Sequence, residues 1–344
     1  MTSFAASSLR FLHRLLHGRG VAPPAAGGET LVLDGISAAA VTEAIIAQSG
    51  ALAAAFPAAA GARAFRRRRD HRNVNQFGEP LTTIDADSAR GALSAAIGLA
   101  LSGERATTFL SGPDLLAAQD LLASAAGRHL PLVIHLACRA ASGHAQALGS
   151  GHEAYAAAAD RGWMQFFAVN AQEAVDLALI ARRAAERALV PALIAMDGEQ
   201  TAMAGQDVIL PEAGLINDFL GRPSRRIEPP TEAQRLLFGD LRRLVPRLHD
   251  VERPMMLSPL MGIESFALGA AGARPYFLDH LPALLEESID LFAEQTGRRC
   301  DALFEHRLHG AEIVLIAQGS AVETIAAVAD HARREGLKVG VLGV

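Results

Sequence analysis

The chain of 344 residues is short of several residue types, and each shortage excludes a class of protein. Its two cysteines, Cys138 and Cys300, lie far apart and outside any Cys-x-x-Cys spacing, so we expect neither a disulfide framework nor a cysteine-ligated cluster. No apolar run approaches the ~18 residues that cross a bilayer. The net charge of −5 gives no general attraction to nucleic acid. We therefore expect a cytoplasmic protein with no membrane span and no nucleic-acid partner.

What the chain does contain is an alternation of short apolar runs and helical patterns. Half of the residues are hydrophobic, which is enough for a sizeable core in one large domain or two. Strands and helices joined by short links favour a mostly parallel sheet with helices on both faces. We therefore predict an α/β fold. The predicted strands are 30–33, 106–110, 132–137, 164–169 and 191–196, and the predicted helices between them are 38–48, capped by Ser37, 114–126 and 171–189.

The stretch 87–116 is the most informative part of the sequence. It reads as a helix, a buried strand and the turn Ser111-Gly112-Pro113. Small residues at the carboxyl end of a strand can offer backbone N–H groups to a ligand. On this motif alone an ordinary strand-to-helix turn is the better interpretation, because short glycine motifs are weak evidence. No Gly-x-Gly-x-x-Gly follows any predicted strand, which argues against an unrelated nucleotide-binding protein.

Several further polar residues follow predicted strands. Arg139 comes directly after strand 132–137, where its guanidinium could hold a carboxylate in two parallel hydrogen bonds or be satisfied by its own loop. His135 lies inside that strand and is predicted to be a core residue, whereas His144 and His152 stay open to either interpretation. The arginine run 66–69 is predicted to be a solvated face rather than a phosphate or acidic-partner site.

The two ends of the chain suggest additional units. Residues 1–28 form a basic amphipathic tail and linker, which either imitates a transit peptide or makes a surface helix. Residues 29–255 form the predicted sheet domain and 256–308 a linker with a helix. Residues 309–344 form one strand-helix-strand unit, which cannot bury both faces of its sheet. We expect a fragment of a longer protein, or a partner that completes this second domain.

In the carboxyl-terminal half, the regular alternation of strands and helices gives way to turns. We predict turns over 205–230, a helix over 231–248, irregular chain over 254–276 and a helix over 281–297.

Taken together, these segments resemble the amino-terminal part of the 2-oxoacid:ferredoxin oxidoreductases, in particular the pyruvate:ferredoxin (flavodoxin) oxidoreductases. The resemblance covers about residues 30–344 and depends on the order and spacing of several motifs. These motifs are Leu33-Asp34-Gly35, the run from Ala95 to Pro113, His135 to Ala140, Asn170 to Ala181, Val190-Pro191, Asp197-Gly198, Thr296-Gly297-Arg298 and Gly319 to Thr324.

The resemblance implies a fold and a set of functional positions. It implies the pyrimidine-type thiamine-diphosphate-binding fold, followed by a transketolase-carboxyl-terminal-like domain. Arg139 corresponds to the arginine that receives the substrate carboxylate. The glutamate that drives ylid formation falls at Ala89, and the threonine near the substrate falls at Ala59, so both functional groups are missing. Ser88, Ala89, Ser111 and Gly112 are the implied cofactor-binding positions, and no catalytic or metal-binding residue is expected.

The resemblance also implies cofactors and partners outside this chain. Thiamine diphosphate would be shared with another domain or subunit, because the Gly-Asp-Gly motif for the diphosphate and magnesium is absent here. Iron–sulfur clusters would also lie on other domains or subunits, ferredoxin or flavodoxin would accept electrons, and the protein would be a homodimer. The implied function is a portion of a 2-oxoacid (pyruvate) oxidoreductase with a degenerate active site. The alternative is a non-catalytic docking or dimerisation module of a larger reductase, similar to the flavoprotein subunits of some sulfite reductases.

Overall fold

A computed structural model describes residues 28–141, 151–249 and 262–344. Its strands are β1 (Thr30–Asp34), β2 (Ser49–Leu52), β3 (Thr82–Asp85), β4 (Ala106–Ser111), β5 (Val133–Ala137), β6 (Met164–Ala168), β7 (Ala192–Met196), β8 (Gly205–Ile209), β9 (Arg226–Ile227), β10 (Arg242–Arg243), β11 (Phe304–His306), β12 (Ile313–Ala317) and β13 (Val339–Gly343). Its helices are α1 (Gly35–Ile46), α2 (Ala59–His71), α3 (Ala89–Leu101), α4 (Gly112–Leu116), α5 (Gln119–Gly127), α6 (Glu153–Ala157), α7 (Ala171–Ala188), α8 (Ala213–Phe219), α9 (Glu232–Phe238), α10 (Ile263–Tyr276), α11 (Leu281–Thr296) and α12 (Ala321–Arg334).

The main sheet has six parallel strands in the order β3-β2-β4-β5-β7-β6. Side chains alternate along each strand, so Phe109 packs with α1, α2 and α7 while its neighbour Leu110 packs with α3 and α5. Both faces are therefore covered by helices, which is the arrangement that all-parallel sheets require. The predicted α/β fold is confirmed.

The first strand does not belong to this sheet. β1 pairs with β8 in an antiparallel ribbon, from Thr30 opposite Ile209 to Asp34 opposite Gly205. The cap of α1 also differs from the prediction, because Asp34 rather than Ser37 is the N-cap residue. The Asp34 carboxylate accepts hydrogen bonds from the Ser37 backbone N–H at 2.8 Å and from its hydroxyl at 2.9 Å.

Four predicted segments were wrong. The stretch 205–230 contains β8 and α8 besides its turns, and the predicted helix 231–248 ends at Phe238, where Gly239 adopts a φ of +76°. The predicted helix 114–126 breaks into α4 and α5 at Ala117 and Ala118. The stretch 254–276 was predicted to be irregular, but it contains α10. This helix is rich in Ala and Gly, and none of its residues is buried.

The carboxyl-terminal unit is a small sheet in the order β11-β13-β12 with α12 packed on it. β12 and β13 are parallel, as predicted, and β11, from within the predicted linker, adds an antiparallel strand to β13. On β12, Ile313, Val314 and Ile316 are about half exposed or more. This sheet therefore leaves apolar surface uncovered by the residues that the structure describes.

Candidate active site at the carboxyl edge of the sheet

The predicted site residues all follow strands of the main sheet. Ala59 follows the loop after β2, Ala89 follows β3, Ser111 and Gly112 end β4, and Arg139 follows β5. These four strands are neighbours in the order β3-β2-β4-β5, and they are parallel. Their carboxyl ends therefore meet at one edge, where open α/β sheets bind ligands. The tertiary structure brings the predicted positions to this edge.

Arg139 reaches across the edge to the loop that follows β2. Its Nη1 donates to the backbone carbonyl of Phe56 at 3.4 Å, and its guanidinium lies 5.7 Å from the centre of the Phe56 ring. A cation over an aromatic face is held by the charge distribution of the ring. Arg139 and the loop leading to Ala59 therefore form one surface at the edge.

Two glycines fix the backbone that carries Arg139. A Cβ atom on Gly112 would lie 2.2 Å from the Arg139 carbonyl oxygen, and one on Gly151 would lie 2.2 Å from the Ala140 nitrogen. Gly151 also has a φ of +119°, which L-residues avoid. The Arg139 backbone therefore passes between two positions that only glycine can occupy. Close chain approach accounts for Gly112 without any ligand.

The two serines of the predicted site are engaged in helix capping. Ser88 is the N-cap of α3, and its hydroxyl accepts from the Gly91 N–H at 3.1 Å. The Ser111 hydroxyl and backbone N–H both donate to the carboxylate of Asp114. Each side chain therefore already has a local partner that explains its presence.

Ala89 is the first residue of α3 and is 8% exposed. It belongs to the apolar cluster that includes Leu93 and Ile97 on the same helix. The two nearby acids lie in different surroundings. Asp85 is paired with Arg66 on α2, and Asp87 is exposed in the turn before Ser88. The buried position at the start of α3 thus carries a methyl group.

A second polar cluster lies further along the edge, after β7. Asp197 accepts from the backbone N–H and the hydroxyl of Ser320, both at 2.7 Å, and its other oxygen lies 2.7 Å from His152 Nε2. The hydrogen bond with Asp197 raises the pKa of His152 above its ordinary 6.5, against the effect of burial. Burial acts to raise the pKa of Asp197, but the hydrogen bonds from His152 and Ser320 outweigh it and lower that pKa. This cluster ties the sheet domain to the start of α12.

Sequence reasoning left His152 open, did not single out Gly151, and named Asp197 and Ser320 only within family motifs, without assigning either a role. Asp197 carried a usable signal, because an acid directly after a buried strand must lie at the carboxyl edge. Its partner Ser320 is 123 residues away along the chain, so only the tertiary structure shows the contact.

The remaining candidates have structural surroundings. His135 is fully buried and lies 3.0 Å from Glu43, as expected of a core histidine, and His144 lies outside the described residues. Burial raises the pKa of both cysteine thiols, so neither is an activated nucleophile. In the arginine run, Arg66 pairs with Asp85 and Arg69 with Asp70.

Two kinds of feature are absent from the described residues. In 28–141, 151–249 and 262–344, no group of three or more His, Cys, Asp and Glu side chains is arranged to hold a metal ion. Within the same ranges, no helix has both the length and the apolar character needed to cross a bilayer.

Known proteins resemble this chain over most of its length. The model of the pyruvate flavodoxin/ferredoxin oxidoreductase thiamine-diphosphate-binding family matches residues 69–246, about half of the chain. Pyruvate synthase subunit PorA of Thermotoga maritima is 30% identical over 265 residues, which are 76% of this chain and 62% of that protein. The pyruvate:ferredoxin oxidoreductase of Moorella thermoacetica is 27% identical over 80% of this chain, which is 22% of that protein.

A solved structure supports the fold. The 2-oxoglutarate:ferredoxin oxidoreductase from Magnetococcus marinus, solved with 2-oxoglutarate, coenzyme A and succinyl-CoA bound, superposes with a TM-score of 0.61 at 15% identity, covering 92% of this chain and 54% of that one. The chain thus spans about three fifths of the length of its PorA relatives. With the matching family model and the six-stranded parallel sheet, it belongs to the pyruvate flavodoxin/ferredoxin oxidoreductase family and carries its thiamine-diphosphate-binding region.

Proposed function

We propose that this chain is the pyrimidine-side portion of a 2-oxoacid oxidoreductase, one that has lost its relay carboxylate. With the rest of its complex it would take part in the oxidative decarboxylation of a 2-oxoacid such as pyruvate. Thiamine diphosphate would be shared with another domain or subunit that also carries magnesium, and clusters elsewhere would pass electrons to ferredoxin or flavodoxin. We also propose a homodimer in the cytoplasm, where the free thiols Cys138 and Cys300 would stay reduced.

The observation that carries the proposal is the position of Arg139. Its guanidinium is half-buried at the carboxyl edge, against Phe56 and beside the start of α2. A guanidinium in such a place offers donors in a fixed fork that matches a carboxylate. Glycines on both sides fix its backbone, and the contacts with Phe56 hold the guanidinium at the edge. Its role here would be to bind and orient the carboxylate of the 2-oxoacid.

The residues present do not fit the full requirements of thiamine diphosphate. When bound, that cofactor supplies a carbanion that attacks a carbonyl carbon, and the family resemblance assigns its activation to a glutamate. This chain has the methyl group of Ala89 at that position, and the hydroxyl of the adjacent Ser88 already caps α3. General acid–base assistance typically contributes ~10²–10⁴-fold. The residues of this edge would therefore hold a substrate better than they could move a proton.

A second function is favoured by the same alanines. Ala89 and Ala59 both replace groups that the family uses, and Ala89 is packed into an apolar cluster rather than left as an open gap. A fold kept for docking or dimerisation in a larger reductase would tolerate both losses. Docking requires only that the domain stays folded, and it does not require functional groups at the carboxyl edge.

The test is a titration of the complete complex with thiamine diphosphate and magnesium, comparing the native protein with Ala89→Glu. Position 89 begins α3 at the carboxyl edge, and we expect a glutamate there to extend out of the apolar cluster toward the cofactor and to tighten its binding. Ser94→Glu is the matched control, since it adds the same charge to an exposed position of the same helix. Equal affinity in the native protein and Ala89→Glu would contradict the assignment of position 89.

Electron transfer separates the two functions. We expect the native complex to reduce its acceptor slowly with a 2-oxoacid, and Arg139→Gln to raise the KM for that 2-oxoacid with a smaller change in kcat. If neither the native protein nor Ala89→Glu supports any 2-oxoacid-dependent electron transfer, the docking function is favoured.

A further inference from the structure

A small polar pocket lies at the opposite edge of the main sheet. It has a volume of about 270 Å³ and is lined by residues of α7, α8 and the segment that leads into β9, including Arg183, Arg187 and Arg225. α7 starts at the carboxyl end of β6 and returns to the start of β7, so its last turns lie at the amino edge. The pocket is therefore remote from Arg139 and Ala89.

The charges around the pocket do not cancel. Glu186 lines it but is committed to Arg105, whose Nε and Nη2 donate to its two oxygens at 2.5 and 2.8 Å. Glu287 of α11 bonds Arg187 at 2.9 Å and lies 3.8 Å from Arg183. Asp218 is exposed at the rim, and within the described ranges Arg225 makes no salt bridge. Three guanidinium groups line the pocket, and only the carboxylates of Glu287 and Asp218 remain to balance their charge.

Two donors in the pocket wall have no acceptor. The Nε atoms of Arg183 and Arg187 are buried, and neither has a hydrogen-bond partner among the described atoms. Because these atoms are out of reach of solvent, they show how strongly the two guanidinium groups are desolvated rather than where a ligand makes contact. Burial, followed by the charge of Arg187, lowers the pKa of Arg183. An anion in the pocket would offset the repulsion between these guanidinium groups.

We propose that this pocket binds a phosphate group. Tetrahedral phosphate can accept hydrogen bonds from several guanidinium groups at once, and arginine forks match its geometry. The volume is smaller than that of pockets that enclose a drug-sized ligand, which start at about 300 Å³. The pocket therefore suits a free phosphate ion, or the terminal phosphate of a nucleotide whose remaining part lies in solvent.

The test measures the thermal unfolding of the whole protein in increasing sodium phosphate, against sodium chloride of equal ionic strength. A ligand that binds only the folded state raises Tm in a saturable way. We expect such a rise with phosphate but not with chloride. A parallel titration with ADP distinguishes the sources, because a nucleotide ligand would saturate at a lower concentration than free phosphate.

Variants locate the site. Arg225→Gln changes an exposed residue, so folding should be retained, and we expect phosphate affinity to fall by about tenfold or more. Arg187→Gln should have at least as large an effect. Arg63→Gln, an exposed arginine on α2, is the matched control and should keep the native response. A phosphate response that persists in Arg225→Gln, or that chloride reproduces, would overturn the proposal. Neither readout needs turnover, so this test is independent of the proposed function.

Discussion

Between the sheet and helices α1 and α7, Glu43 accepts a hydrogen bond from Arg182 at 2.7 Å and lies 3.0 Å from His135, and all three side chains are fully buried. Nearby, Arg105 and Glu186 form a second buried pair. At the carboxyl edge of the same sheet, the positions where the family resemblance expects a glutamate and a threonine are Ala89 and Ala59. The interior thus pairs its buried charges, whereas the edge positions 59 and 89 carry only methyl groups. If the proposed assignment of these two positions is correct, the fold is stabilised by charges that take no part in the reaction.

Breaking the buried Arg105–Glu186 pair should lower the free energy of unfolding more than any other change. Glu186→Ala would leave the fully buried Arg105 without its carboxylate, which typically costs about 3–5 kcal/mol of unfolding free energy. Guanidinium denaturation measures this loss. The double variant Arg105→Met, Glu186→Leu should recover most of it, because apolar side chains of similar size replace a buried pair well. Arg90→Gln breaks an exposed pair with Asp120 and should leave the midpoint unchanged. A small effect of Glu186→Ala would show that the interior pair does not hold the scaffold.

Adding a carboxylate to the edge should have the next largest effect. Ala89→Glu places a charge at a position that is 8% exposed in an apolar cluster, and we expect the unfolding free energy to fall by about 1–3 kcal/mol without ligand. Denaturation of Ala89→Glu beside Ser94→Glu measures it. If Ala89→Glu is as stable as Ser94→Glu, position 89 can accommodate a carboxylate. The edge would then differ less from the interior, where buried charges are tolerated.

The pH dependence of stability should also differ between the two regions. Burial alone would raise the pKa of Glu43, but the charge of Arg182 and the hydrogen bond with His135 hold it below its ordinary 4.5. A lowered folded-state pKa stabilises the protein above the unfolded-state value, and this contribution disappears as the pH falls through the folded-state value. We expect unfolding midpoints to drop below about pH 4.5. Glu43→Gln should be less stable at neutral pH and show a flatter acid limb, and an unchanged limb would argue against this pairing.

We expect the smallest effect on stability from the cluster of His152, Asp197 and Ser320 after β7. The hydrogen bond with Asp197 raises the pKa of His152, so its protonated form stabilises the contact below pH 6.5 and the contribution fades as the pH rises through the higher folded-state value. We expect the Tm difference between native protein and His152→Gln to be greatest near pH 5.5 and smaller at alkaline pH. A difference that does not vary with pH would mean that His152 acts by packing on Phe167 alone.

Prediction from sequence succeeded where local pattern and tertiary context agree. The buried strands β4, β5 and β7 are short apolar runs; β4 ends at Ser111, Arg139 closely follows β5 and Asp197 directly follows β7. Prediction failed for α10, because an Ala-rich and Gly-rich stretch has no apolar face from which to detect a helix. It also missed the termination of α9 at Gly239, whose positive φ of +76° ends the helical pattern.

The buried ion pairs were beyond sequence reasoning for a different reason. Arg182 and Glu186 are one turn apart on α7, where charged residues usually face solvent. They are buried because α7 is covered by the sheet and α1 on one side and by α11 on the other. No pattern in the local sequence indicates that α7 is also covered by α11.

The sequence alone determined the central strands of the main sheet, their parallel arrangement and the presence of Arg139 after a strand, because backbone periodicity and turn chemistry are local properties. Only the tertiary structure decided that Arg139 meets Phe56, that Asp197 bonds Ser320, and that Arg183, Arg187 and Arg225 surround one pocket. Those contacts join residues far apart along the chain. Their partners are selected by the packing of whole elements, which no local stretch of sequence specifies.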